Sequence, residues 1–406
     1  MKQISFIHAA DLHLDSPMVG LKYLPPDILS RIRESTFVAL KKLTSEAIHR
    51  KVDFIIFAGD LFDGEDRSLR AQSRFRTEML KLAEHNIPVF IIHGNHDHLN
   101  GTWVHLDMPG NVHIFGHEVE MKPLETKRGL QVHLYGFSYP ERHVFEKKIE
   151  DYRKIEGADF HIGILHGNES GREEHGNYAP FSVKDLFEKK FDYWALGHIH
   201  KRAVLSEHPP ILYPGNLQGR NKKEKGPKGF YHVTLNGSEA NLDFVETSDI
   251  VWEEAVIDAS SAENFHQILQ LCQTTINGFR KENSGTLLTL FLENVNLEDA
   301  KEQKSINNEL LELLLDEEKE EKSFVWIVEL IVLENIHVDK EHLKAEANFY
   351  AELFHTVEDY GAIEETLAPL YDHRLGRKYL SVLTDFDQRE LVEKAEKLLI
   401  NLLYKS

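Results

Sequence analysis

The chain is predicted to fold as an α/β protein, and three observations carry that prediction. Short apolar runs rich in β-branched and aromatic residues alternate with helical repeats over the first 250 residues. Polar clusters fall at the C-terminal ends of several of these runs, where α/β sheets gather their ligands. Beyond Asp249 the alternation restarts on a smaller scale, and from Val338 onward only helical periodicity remains.

Taken in order, strands are expected at Ile4–Ala9, Phe54–Ala58, Val89–His93, Val132–Phe137, His161–Leu165, Tyr193–Leu196 and Ile211–Tyr213, each short and often flanked by Gly, Pro or Asn. Between the first two, Arg31–Arg50 places Phe37, Leu40, Leu43 and Ala47 on one helical face. Ser68–Glu84 does the same with Phe75, Met79 and Leu82. Strands at Trp252–Ile257, Thr286–Leu292 and Phe324–Val332, with helices at Ala262–Arg280 and Ile306–Leu315, predict a small α+β domain. A last helix repeats Leu391, Ala395, Leu398, Leu399 and Leu402, with Thr384 or Asp385 as its N-cap. Three regions are therefore expected: 1–248 with the polar motifs, 249–337 as the α+β domain, and 338–406 as a helical tail. At about 150 residues per domain, a chain of 406 fits two or three.

Composition narrows the class. No apolar run reaches the ~20 uncharged residues of a membrane helix, so no membrane association is expected. Met1-Lys2-Gln3-Ile4 enters a strand at once, which predicts no signal peptide and a cytoplasmic location. Cys272, the single cysteine, lies in a helical run and reads as a small core residue. The net charge of −20 argues against nucleic acid as a partner, but a sum hides distribution. Much of the acidity sits in one helical stretch from Glu309 to Glu321, whereas Arg220, Lys222, Lys223 and Lys225 form a basic loop ending at Lys228. That loop is a candidate track for a phosphate backbone, with an ordinary soluble loop as the competing reading.

Five clusters carry the chemistry: Asp11-Leu12-His13, Gly59-Asp60-Leu61-Phe62-Asp63, Gly94-Asn95-His96-Asp97, His166-Gly167 and Gly197-His198-Ile199-His200. Carboxylates, an amide and imidazoles together form the oxygen and nitrogen shell that a pair of divalent transition metals needs. In extended chain, positions i and i+2 share a side, so Asp11 with His13 and His198 with His200 can each present two ligands. Gly59 and Gly94 precede ligands, where a missing Cβ permits tight turns and close approach. Asp60 follows the most apolar strand and is the natural bridge between two metals. With 24 histidines in the chain a lone one means little, and His93, His98, His105, His113 and His117 are read as ordinary core or surface residues. Five clusters at strand ends are a different matter, since chance does not produce them together.

These motifs resemble the calcineurin-like metallophosphoesterase superfamily, whose signature runs D-x-H, G-D-x-x-D, G-N-H-D/E, a strand-end His and G-H-x-H. The resemblance implies a two-sheet β-sandwich flanked by helices, here with a capping domain and a helical tail. The opening Ile7 to Asp15, the Gly59-to-Asp63 motif, and Tyr213-Pro214-Gly215-Asn216 followed by Lys228-Gly229-Phe230 are similar to SbcD-type DNA repair exonucleases, in a YhaO-like branch. It implies one metal on Asp11, His13, Asp60 and His200, and another on Asp60, Asn95, His166 and His198, with manganese the implied ion. Two such cations about 3.5–4 Å apart would activate a water and clamp phosphate oxygens for in-line attack. His96 is then the implied proton donor, oriented by Asp63, where archaeal and eukaryotic relatives often carry histidine.

The expected function is a metal-dependent DNA exonuclease or endonuclease, the nuclease subunit of an assembly with an SMC-like coiled-coil ATPase docked on the tail helices. A homodimer is also expected. Two alternatives stand beside it: a phosphodiesterase or phosphatase acting on cyclic nucleotides or other small molecules, and a scaffold that mainly organises an ATPase. A retired site usually loses a ligand, and no motif position is lost here.

Overall fold

A computed structural model describes residues 2–18, 21, 23–63, 68–101, 104, 106–170, 178–237, 239–295, 297, 306, 309–316, 318 and 322–333. In the C-terminal stretch it describes 348–358, 360, 362–372, 383, 387–389, 391–392, 395–396 and 399. The chain divides into two compact units, Met1–Leu333 and Glu334–Ser406.

Two six-stranded mixed sheets form the first unit, as the resemblance implied. In one, β1 (Gln3–Ala9), β2 (Phe54–Ala58), β3 (Val89–Ile92) and β4 (Val112–Ile114) run parallel, and β11 (Gly229–Asn236) and β12 (Glu239–Glu246) extend β1 antiparallel, in the order β12-β11-β1-β2-β3-β4. The other runs β5 (Glu120–Glu125), β6 (Gln131–Gly136), β7 (Phe160–His166), β8 (Tyr193–Gly197), β10 (Pro210–Tyr213) and β9 (Ala203–Glu207). Strand periodicity explains how both faces are used. Phe54 and Ile56 point with Phe6, Phe90 and Ile92 into a core shared with Leu134, Ile162, Ile164, Tyr193 and Ala195 of the facing sheet. Ile55 and Phe57 point the other way, onto helices α1 (Pro26–Arg50) and α2 (Leu69–Glu84), whose Phe37, Leu40, Leu43, Phe75, Met79 and Leu82 fill the outer layer.

Local signals set the helix ends. Ser68 caps α2 by accepting from Ala71 N at 2.9 Å, and α1 begins at Pro26, where a missing N–H costs nothing. A third sheet, all parallel, joins β13 (Ile250–Asp258), β14 (Gly285–Glu293) and β15 (Val325–Leu333). It packs on α3 (Phe265–Gly278) and the helix Leu310–Asp316 around Ile268, Cys272, Leu288, Leu290, Leu310 and Ile327. Burial pushes the Cys272 thiol up to about 12, so it stays an inert core group.

This small sheet does not stand apart. Trp252, Ile250, Leu287 and Phe324 share one apolar cluster with Met18, Leu24, Ile28 and Ile32 of α1 and the loop before it. Arg31 Nε donates to Asp249 Oδ2 at 2.9 Å, and Trp252 Nε1 donates to Gly219 O at 3.2 Å. The third sheet thus packs within the compact unit Met1–Leu333.

In the C-terminal unit, helices Asn348–Glu358 and Ile363–Asp372 are described. Leu391, Ala395 and Leu399 of the expected last-helix stripe line a groove of about 330 Å³ with Leu353, Val357, Ile363 and Leu367. Leu398, Leu402, Thr384 and Asp385 lie outside the described residues. Among the described residues no helix is long and apolar enough to cross a membrane.

Candidate active site

All five sequence clusters meet at one end of the paired sheets. Loops leaving β1 and β2 run side by side past the strand ends: Asp11 N donates to Gly59 O at 3.1 Å, His13 N to Asp60 O at 3.0 Å and Leu14 N to Leu61 O at 2.9 Å. From the other sheet, Gly167 N donates to Gly197 O at 3.1 Å, tying the ends of β7 and β8. These hydrogen bonds hold backbone that would otherwise be strained. Asp11 (φ 52°), His13 (φ 41°), Asp60 (φ 49°) and His198 (φ 101°) all sit in the left-handed region, at a cost of about 1–3 kcal/mol each. Strain concentrated on four adjoining polar side chains marks a site, not a packing accident.

Room for the cluster comes from glycine. A Cβ at Gly59, itself at φ 95°, would collide with the His166 ring, and one at Gly94 would strike both Asp60 Oδ1 and His166 Nε2. Glycine at these two positions is therefore a condition of the convergence.

Asp60 stands at the centre. Its Oδ2 lies 3.8 Å from His13 Nε2 and 3.4 Å from His166 Nε2, while its Oδ1 accepts from His96 N at 2.9 Å. On one side, His13 Nε2 and His200 Nε2 are 3.0 Å apart, and Asp11 joins them. On the other, Asn95 Oδ1 lies 3.0 Å from His166 Nε2 and 3.2 Å from His198 Nδ1. Asp11 accepts from His198 N at 3.0 and 3.2 Å and links the two halves.

A surrounding shell orients the imidazoles. His13 Nδ1 faces Asp63 Oδ1 at 3.3 Å, His200 Nδ1 faces Glu224 Oε1 at 2.8 Å, and His166 Nδ1 donates to Ala58 O at 2.9 Å. With Nδ1 turned to an oxygen in each ring, the Nε2 lone pair is directed to the centre, as metal-binding histidines are arranged. Two such Nε2 lone pairs 3.0 Å apart repel unless an electrophile lies between them. The donor set fits divalent cations: Asp11, His13 and His200 form one group and Asp11, Asp60 and His166 another, with the oxygen and nitrogen ligand atoms of each within 4.8 Å of one another, and His13, Asp63 and His96 form a third beside them. Bound there, such cations supply Lewis-acid polarisation of a phosphoryl group.

The electrostatics agree with the geometry. Burial, then the Arg220 charge, pulls His13 down to about 3 and keeps it neutral. Burial also opposes charging His166, but Asp60 and Asp11 outweigh it and raise that ring to about 9. Asp60 is driven well below the usual carboxylate range despite burial, chiefly by His166, while burial raises Asp11. The buried negative charge thus calls for positive charge beside it.

His96 and Asp63 form the flank. His96 Nδ1 lies 3.2 Å from Asp63 Oδ1, and its side chain keeps one-third exposure. Burial disfavours the imidazolium, yet Asp60 and Asp63 together raise its pKa. Asp63 is half-buried, and although desolvation opposes its charge it is held far down by His13, His96 and Arg220; its Oδ2 accepts from Ser16 Oγ at 2.9 Å.

Of the basic loop, Arg220 turns into the site. Its Nη1 is 3.4 Å from Asp63 Oδ1 and its Nη2 is 3.5 Å from Glu224 Oε1. Lys222 pairs with Glu329 at 3.0 Å and Lys225 pairs with Glu254, which fastens the loop to the third sheet. Lys223 is exposed. Two site residues were given no role by the sequence reading. Glu224, hidden among the cations it was counted with, accepts from Asn216 Nδ2 and Arg220 N, both at 2.7 Å, and steers His200. Asp97 accepts from Gly94 N at 2.7 Å and Leu61 N at 2.9 Å, clamping two motif loops together. His93, read as an ordinary residue, hydrogen-bonds Asp97 Oδ2 through Nδ1 at 2.9 Å.

Paired sheets that gather a strained, carboxylate- and imidazole-rich shell at their strand ends define a metal-dependent hydrolase. Comparison with known proteins gives the family. The calcineurin-like phosphoesterase profile matches residues 4–202. The uncharacterised metallophosphoesterase YhaO of Bacillus subtilis (strain 168) is 39% identical over 408 residues, covering 98% of each chain. The DNA double-strand break repair protein Mre11 of Thermoplasma acidophilum is 27% identical over 281 residues, 64% of this chain and 70% of that one. Mre11 of Methanococcus maripaludis is 26% identical over 280 residues, 63% and 69% of the two chains. The chain belongs to the calcineurin-like metallophosphoesterase family, and is a phosphoester hydrolase.

Proposed function

We propose that the protein is a two-metal phosphodiesterase acting on DNA. Asp11, His13, Asp60 and His200 hold one cation and Asp60, Asn95, His166 and His198 the other, with manganese the preferred ion. The observation that carries this reading is the position of Asp60 Oδ2, between His13 Nε2 at 3.8 Å and His166 Nε2 at 3.4 Å. His96, anchored through Nδ1 by Asp63, has Nε2 left to stabilise the transition state and protonate the departing oxygen.

DNA as the substrate is supported by the Mre11 relatives, which are DNA double-strand break repair proteins. The division into a catalytic region 1–248, a capping region 249–337 and a docking tail 338–406 belongs to the same proposal. So does a coiled-coil ATPase partner on the tail, which deletion of 384–406 should release. A small phosphodiester as substrate is favoured by one observation, that Lys222 and Lys225 are committed to acidic partners and not offered to a phosphate backbone.

The test is digestion of end-labelled single- and double-stranded DNA by chelator-stripped protein after manganese is added back. Metal-dependent shortening supports the proposal. Intact DNA alongside hydrolysis of bis-p-nitrophenyl phosphate transfers the assignment to small diesters.

A further inference from the structure

Beside the metal shell, on the side of His198 and away from His96, aromatic rings run outward to solvent. The Tyr178 ring lies 5.0 Å from the His198 ring between centroids. His143 stacks on Tyr178 at 5.5 Å with an interplanar angle of 27°, and Phe145 stacks on His143 at 5.7 Å with an angle of 6°. The rings at the outer end are near parallel, and the last is 65% exposed. Phe145 presents its surface to water at the end of a row of rings whose inner member, Tyr178, adjoins the His198 ring.

The backbone beneath the ladder is fixed to the site. Asn168, buried and two residues beyond His166, accepts from Tyr178 N through Oδ1 at 2.9 Å and donates its own N–H to Tyr178 O at 3.1 Å. Ala179 N donates to Val144 O at 2.6 Å, joining the Tyr178 segment to the one that carries His143 and Phe145. The ladder therefore keeps a fixed place relative to the strand-end histidine.

We infer that Tyr178, His143 and Phe145 form a stacking platform for the base of the nucleotide adjoining the scissile phosphate. This rests on the proposed action on nucleic acid and goes further, because it names the state of the substrate. A base can stack on a protein ring only after leaving its own helix, so the platform selects an unpaired or frayed nucleotide. Every base has a π-face, so selection by sequence is weak. Stacking one base is worth about tenfold or more in affinity.

The experiment crosses a change in protein with a change in substrate. Cleavage of a single-stranded oligonucleotide is compared with that of the same strand carrying abasic tetrahydrofuran residues on both sides of the cleaved bond, for wild type, Phe145→Ala and Phe145→Trp. Wild type is expected to favour the intact strand about tenfold in kcat/KM, Phe145→Ala to lose most of that preference through KM, and Phe145→Trp to restore it. If Phe145→Ala keeps the full preference, or loses activity on both strands equally, the platform is wrong. If wild type cleaves neither strand while hydrolysing bis-p-nitrophenyl phosphate, the action on nucleic acid fails first and takes the platform with it.

Discussion

At the scale of single residues, each active-site histidine is defined by what holds its second nitrogen. His96 leans on Asp63, and replacing it with Asn should lower turnover by about 10²- to 10⁴-fold while leaving metal content unchanged, because the ring is anchored by a carboxylate and lies outside the proposed two-metal shell. Metal analysis beside kinetics checks this; lost metal would move His96 into the metal shell. Glu224→Gln should weaken metal affinity by about 10- to 100-fold by loosening His200. An unchanged affinity would reduce Glu224 to a loop anchor. Such supporting residues were the hardest to read in advance. Asp11, His13, Asp60 and the others stand in motifs whose spacing shows, whereas Glu224 reaches its histidine across 24 positions. Its one local signal was an acid isolated within a basic run.

His8 gives the pH dependence away from the metal shell. Burial pulls it down to about 3, with its two nitrogens engaged by Tyr193 Oη at 2.9 Å and Leu196 O at 3.1 Å. In the unfolded chain the same ring titrates near 6.5, so below that value the unfolded state takes up a proton that the folded state refuses. The stability His8 contributes is complete above about 6.5 and drains away as the pH falls toward 3. Thermal melts should show a shallower acid decline in His8→Gln than in wild type over that window. Parallel curves would show that His8 titrates normally.

At the scale of elements, most buried strands were legible, the interior β11 excepted, and the edge strands were not. β2 and β7 are buried along their whole length because both faces are covered, and their limits were read to within a residue or so. β4, β5 and β12 lie at sheet edges, are largely half-buried and have broken apolar patterns, as in Glu120-Met121-Lys122-Pro123-Leu124-Glu125. The join to the third sheet was equally invisible, since it depends on Trp252 meeting α1 and Gly219 from distant parts of the chain. Trp252→Ala should cost about 3–5 kcal/mol, measured by denaturant unfolding. A cost below ~1 kcal/mol would show that the small sheet only rests against the rest.

At the scale of the molecule, a net charge of −20 must coexist with a site that receives phosphate. Within the strand-end loops Asp60 faces His13 and His166, and Asp63 faces His96 and Arg220. The account turns on Asp60 being shared. Manganese bound per chain, counted after removal of loosely held ion in wild type and in Asp60→Asn, tests that most directly. The prediction is two ions in wild type and fewer than two in the variant. A wild type holding fewer than two, or a variant that keeps both, would contradict it.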